Sequence, residues 1–131
     1  MSFAFPSRKR LGKAGVLAVL RRGKRLKRDA FEVKFVISRA KNSSADSKLA
    51  ISVPKRLLKS SVARNRIKRI VREEFRVHRA ATAPLHLLVI YLASDDARHD
   101  AARRILRAEL ANMFDDAVRC LHADNIGVRA K

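Results

Sequence analysis

The sequence predicts an α+β sandwich, a small sheet with helices packed over one or both of its faces. Three observations lead there. Two stretches alternate apolar and other residues with period two, a third is almost continuously apolar, and three more repeat apolar residues with helical spacing. In chain order they read αββαβα, and at 131 residues the chain is long enough to bury one core unaided.

Residues 1–12, with Phe3, Phe5, Pro6 and the run Arg8-Lys9-Arg10, show no period and are expected as a basic extended arm. Residues 13–121 are expected to form the single domain, and 122–131 a flexible tail. Within the domain, Val16, Leu17, Val19 and Leu20 mark a short helix over 13–22 that Gly23 ends as a C′ residue. Phe31, Val33, Phe35 and Ile37 alternate as in a strand with one face on a core. After a polar loop over 41–47, residues 49–53 alternate again and close at Pro54. These two strands are expected to pair antiparallel, as a hairpin does. A helix follows over 62–79, with Ser60 or Ser61 as its N-cap. Residues 85–92, interrupted only by His86 and Tyr91, read as a central strand covered on both sides. The last helix, 98–121, carries apolar residues from Ala102 to Leu121 at helical spacing, with Asp95 and Asp96 suited to its N-terminus.

Charge points to the partner. The chain holds 31 Lys+Arg against 12 Asp+Glu, a net of +19. Residues 1–80 carry 24 of these cations and 5 of the acids, whereas residues 81–131 carry 7 of each. Excess charge confined to one part of a chain describes a binding face beside a structural remainder, and phosphate-rich polymers are what such a face attracts. No apolar run is long enough for a membrane-spanning helix, and the N-terminus has no apolar signal core, so a cytoplasmic protein without a membrane partner is expected. Cys120 is the only cysteine, which leaves no internal disulfide; it reads as a small buried hydrophobe, with no disulfide-linked partner.

Enzyme chemistry finds little material. His78, His86, His99 and His122 lie in different elements without metal-ligand spacing, and the four glycines form no phosphate loop. Asp95-Asp96 and Asp115-Asp116 are sequence neighbours that helix charging explains better than catalysis. The expectation is no catalytic residue, no metal and no cofactor on protein side chains.

The helix over 62–79 carries the most information. At about 100° per residue with Ile67 at zero, Ala63, Ile70, Val71, Phe75 and His78 fall within about 80° of it and form an apolar stripe. Asn65, Lys68, Arg69, Arg72, Arg76 and Arg79 fall between roughly 100° and 200°, on the opposite side. Cations stacked at this spacing repel one another, so the row makes sense as a surface for a polyanion. Strands flank the helix, which fits a DNA-reading helix-turn-helix poorly and favours RNA.

The run Ala63-Arg64-Asn65-Arg66-Ile67-Lys68-Arg69-Ile70-Val71-Arg72-Glu73-Glu74-Phe75-Arg76 resembles the signature helix of the bacterial ribonuclease P protein family. Phe5-Pro6, Arg10-Leu11, Gly23 and Ile51-Ser52-Val53-Pro54-Lys55-Arg56 occur in that family's order, and the resemblance covers roughly residues 5–118. It implies a ribosomal-protein-like sandwich with a left-handed βαβ crossover, where generic handedness rules would give a right-handed one. It further implies a protein subunit that binds an RNase P RNA and the 5′ leader of precursor tRNA. In that arrangement the RNA, with Mg²⁺, hydrolyses the phosphodiester and leaves a mature tRNA 5′ end. By position, the resemblance assigns RNA contacts to Arg64, Asn65, Arg66, Lys68, Arg69 and Arg72, with Arg76 continuing the row, and to Lys55 and Arg56 after the second strand. Where the family's leader cleft presents aromatic side chains, this chain has Val16, Leu20 and Lys34. With 5% aromatic residues overall, base stacking gives way to electrostatic and apolar contact. Two competing expectations remain: a structural or ribosome-associated RNA-binding protein of the same fold without a role in cleavage, and a stand-alone metal nuclease, which the scattered carboxylates disfavour.

Overall fold

The computed structural model describes residues 10–37 and 47–130, with side chains as far as Leu121 except those of Arg79 and Thr82. Most of the expected arm and of the polar loop over 41–47 lies outside the described residues. The elements are α1 (Lys13–Arg22), β1 (Lys24–Lys27), β2 (Phe31–Ile37), β3 (Lys48–Ser52), α2 (Ser61–Val77), a 3-10 turn (Arg79–Thr82), β4 (Leu85–Tyr91) and α3 (Asp100–Ala130).

The four strands form one sheet in the order β1-β2-β4-β3. β4 is buried at five of its seven positions and half-buried at the other two, as a strand covered on both faces must be. Its pairings are antiparallel to β2, with Val33 opposite Val89, and parallel to β3, with Ile51 opposite Val89. One face carries Phe31, Val33, Phe35, Leu85, Leu87, Val89 and Tyr91. It packs on the α2 stripe of Ala63, Ile67, Ile70, Val71 and Phe75 and on Leu110, Met113, Phe114 and Ala117 of α3. The other face is covered in part by α1 and the chain before it, where Leu11 and Val19 meet Leu88, flanked by Val16, Val36, Ala50 and Ile90. The expected α+β sandwich thus stands, with helices on both faces of the sheet.

Three expectations need correction. β2 and β3 are not a hairpin: β4 lies between them, because the most apolar strand takes the position with two neighbours and two covered faces. The hairpin partner of β2 is β1, which makes the order αβββαβα. β1 escaped the pattern search because Lys24-Arg25-Leu26-Lys27 has one apolar residue and, at an edge, needs no more. Asp95 and Asp96 do not cap α3, which begins at Asp100. Their carboxylates instead accept the Ala97 and Arg98 amides, at 2.7 and 3.1 Å, within the loop. In the same loop Ala97 is buried with a left-handed φ of 57°.

Smaller details differ too. Gly23 does end α1, but at φ −71°, so left-handed freedom is not its role. Its amide donates to the Val19 carbonyl at 2.7 Å, and a Cβ would sit 2.3 Å from that oxygen. Ser60 is the N-cap of α2, its Oγ accepting the Ala63 amide at 3.3 Å. The α3 backbone continues past Leu121 to Ala130.

Glu109 of α3 ties the β1–β2 hairpin to the layer beneath it. One carboxylate oxygen accepts both the Ala30 and Phe31 amides at 2.9 Å, and Arg28 pairs with Asp116 at 2.6 Å. Replacing Glu109 with Ala strands two partly buried donors, so we expect a loss of about 1–3 kcal/mol in urea denaturation and faster hydrogen exchange at those amides. Unchanged stability would show that water replaces the carboxylate at no cost.

Candidate nucleic-acid interface

Burial of the α2 stripe decides where its cations point. With Ile67 and Val71 fully buried, Asn65, Arg69 and Arg76 are exposed on the far side, and Lys68 and Arg72 are half-buried along it. Lys68 and Arg72 also line an open groove of about 260 Å³, whose other walls are Leu49, Ala50 and Ile51 of the edge strand β3 and the side chain of Arg10. The Leu11 amide donates to the Leu49 carbonyl at 3.0 Å, so the chain before α1 runs beside β3 and brings Arg10 to the groove. Arg10 was not among the expected contacts; its bridge to Leu49 is what places it here.

Arg64 and Arg66 leave this row. Nη1 of Arg64 donates to the carbonyls of Leu58 and Lys59, both at 2.9 Å, bracing the turn that presents exposed Lys55 and Arg56. Nη1 of Arg66 donates to the Asp96 carbonyl at 2.8 Å, on the α3 side of the helix. Helix geometry accounts for both, since they lie about 60° and about 100° to either side of Ile67. Each uses one nitrogen of a guanidinium that has five N–H donors.

The two acids of α2 lie on the side toward α3. Glu73 receives Nη2 of Arg107 from α3 at 2.9 Å and Nε of Arg69 at 3.0 Å, while Glu74 lies 3.8 Å from Arg107. The Arg107 hydrogen bond holds the Glu73 carboxyl below the ordinary value of 4.5, with Arg69 adding to it and partial burial opposing. A depressed folded-state value means that the link is fully stabilising above the ordinary value and is lost as pH falls through the folded one. In a carbon-detected NMR titration the Glu73 carboxyl should therefore titrate below 4.5, and Arg107→Leu should move it upward. Titration at the ordinary value would mean that the bridge does not persist in solution.

A second cationic surface lies on the α1 side of the sheet. Lys34 projects there, opposite Leu88, while Val16 packs on the cluster that contains Leu88 and Leu20 stands exposed on α1. The β1 pairing adds two cations that sequence reasoning missed, with Arg25 opposite Lys34 and Lys27 opposite Glu32. Glu32 sits 3.6 Å from Arg25 and 3.9 Å from Lys34, moderating the repulsion between two cations placed across from each other.

Two further polar side chains, His78 and Tyr91, have structural partners. His78 caps the N-terminus of the 3-10 turn: Nδ1 accepts the Ala80 amide at 2.9 Å, which leaves Nε2 to donate to Asp115 at 2.8 Å. Tyr91 donates to the Asp95 carbonyl at 2.7 Å, and burial, with Asp95, Asp96 and Glu109 nearby, pushes its phenol up to about 12. Among the described residues no group of three or more His, Cys, Asp or Glu is placed to hold a metal ion. No helix among the described residues is long and apolar enough to cross a membrane.

The fold and the site define a small α+β sandwich protein with an aligned row of cations on its crossover helix. The family model described as Ribonuclease P matches residues 5–118, and the chain belongs to that family. The ribonuclease P protein component of Bordetella parapertussis is 33% identical over 121 residues, which cover 87% of this chain and 95% of that one. The Vibrio cholerae protein component is 46% identical over 55 residues, 42% of this chain and 46% of its own, so that match spans about half the relative's length. Among solved structures, the RNase P protein from Thermotoga maritima superposes with a TM-score of 0.67 at 27% identity, covering 82% of this chain and 96% of that one.

Proposed function

We propose that this chain is the protein subunit of a cytoplasmic ribonuclease P, binding the RNA subunit through the outer face of α2 and the 5′ leader of precursor tRNA across the α1 side of the sheet. The RNA subunit, with Mg²⁺, performs the cleavage. The observation that carries this is the sorting of charge on α2: Lys68, Arg69, Arg72 and Arg76 share the outer face while Glu73 and Glu74 are drawn in toward Arg107. Arginine offers phosphate a bidentate fork, lysine a point charge, and Asn65 both a donor and an acceptor for sugar or base. Fixed cations placed among RNA phosphates do part of what free Mg²⁺ would otherwise do, so the protein should matter most when Mg²⁺ is scarce. For the leader, Lys34 and Arg25 meet phosphate through charge, which makes that contact steeply salt-dependent.

Reconstitution tests this. With a bacterial RNase P RNA at low Mg²⁺, the protein should restore 5′ processing of a leader-bearing precursor tRNA, and Arg69→Ala with Arg72→Ala should abolish much of the gain. Each lost phosphate contact should lower the slope of log affinity against log salt by about 0.7–0.9. A protein that binds the RNA yet leaves cleavage unchanged would instead be a structural RNA-binding member of the fold. Lys34→Ala should weaken binding of leader-bearing precursor while leaving mature tRNA unaffected; equal affinity for the precursor would remove Lys34 from the leader contact.

A further inference from the structure

Glu73 stands out as an acid at the border of a surface read as RNA-binding. A carboxylate near a polyanion should simply weaken binding, and an exposed ion pair is worth little to stability. Its connections point elsewhere. One oxygen takes Nη2 of Arg107, 2.9 Å away, and Arg107 is rooted in α3. The other oxygen takes Nε of Arg69 at 3.0 Å, one helical turn back on α2. Glu73 and Arg107 are about one-third exposed, whereas the Arg69 side chain is 68% exposed. The network is thus anchored at its α3 end and open at its Arg69 end.

We propose that Glu73 is a positioning residue for the RNA interface: fixed by Arg107, it grips Arg69 by Nε and leaves the edge formed by the two terminal nitrogens facing outward for a phosphate. This rests on the assignment of the α2 outer face to RNA. A guanidinium has two edges suited to forked acceptors, and occupying the Nε edge with a carboxylate leaves the Nη1–Nη2 edge. Holding that long side chain before RNA arrives removes rotamer freedom that binding would otherwise have to remove. The lowered titration of Glu73 agrees, since it keeps the grip charged throughout the neutral range.

The sign of one substitution separates positioning from plain electrostatics. Glu73→Gln removes a negative charge beside RNA, so charge alone predicts tighter binding of an RNase P RNA transcript, whereas loss of positioning predicts binding weaker by about three- to tenfold. The weakening should vanish in an Arg69→Ala background, where there is nothing left to position. Arg107→Gln should weaken binding in the same background-dependent way and provides a second route if Glu73→Gln folds poorly by circular dichroism. Binding as tight as or tighter than the parent's overturns the proposal, as does weakening that persists undiminished without Arg69. If Arg69→Ala alone leaves affinity unchanged, the fault lies with the assignment of Arg69 to the RNA surface, and the positioning role goes with it.

Discussion

Everything else in this protein depends on where β4 lies. A strand that is apolar on both sides cannot sit at an edge, and its occupation of the interior of the sheet forces β2 and β3 apart and makes β3 its parallel neighbour. Parallel neighbours require a crossover, and α2 is that crossover. The helix with the most cations is therefore also one that the core holds along its length. Ile67, Ile70, Val71 and Phe75 are at most 2% exposed, and Phe75 meets Phe114 of α3 edge to face at 5.7 Å. A row of mutually repelling cations survives on α2 because burial of the opposite stripe, at roughly 1.5–3 kcal/mol for each large side chain, outweighs i,i+4 repulsions of a few tenths.

That division recurs among the arginines. Arg64 and Arg66 are bound to backbone carbonyls on the two sides of the helix, and Arg107 is bound to acids at the α2–α3 contact. Arg28 and Arg103 likewise bind within the α3 layer, to Asp116 and Asp100. A high net charge thus conceals two populations of cation. One set braces loops and helices where bulk apolar contact is thin; the other, Lys68, Arg69 and Arg72 with Lys55 and Arg56, is arrayed on the outer surface of the crossover.

Periodicity made much of this legible. The stripe on α2, the double burial of β4 and the partial burial of β2 follow from period alone, and the opposed row of cations follows from the same arithmetic. The pairing of strands was not legible, because alternation tells which face a strand buries and says nothing of its neighbour. A polar loop between two alternating runs looks like a hairpin, and only the greater apolar demand of β4 displaces β3 from β2. β1 was hidden by its edge position. At the site, the wheel already set Arg64 and Arg66 apart from the row, whereas Arg10 and Arg25 became visible only through pairing, one beside Leu49 and the other opposite Lys34. Glu73 resembled Glu74 in the sequence. What distinguishes it is that its two oxygens hydrogen-bond Arg107, from an element 34 residues away, and Arg69 at once.

In the proposed leader contact on the α1 side of the sheet, cations would do the work that aromatic stacking does elsewhere. Stacking platforms hold bases largely regardless of salt, whereas cations hold phosphates through counterion release, so the two devices differ in salt response more than in strength at low salt. Placing Arg25 opposite Lys34 would be unfavourable in an isolated hairpin, and Glu32 between them offsets only part of it. Glu109 and the Arg28–Asp116 pair, on the opposite layer, supply the attachment that keeps the hairpin on the core despite that repulsion. The stability of the hairpin and the charge of its α1-facing surface are thus linked through α3: the grip of Glu109 on the Ala30 and Phe31 amides offsets the repulsion between the cations that the strands above it carry.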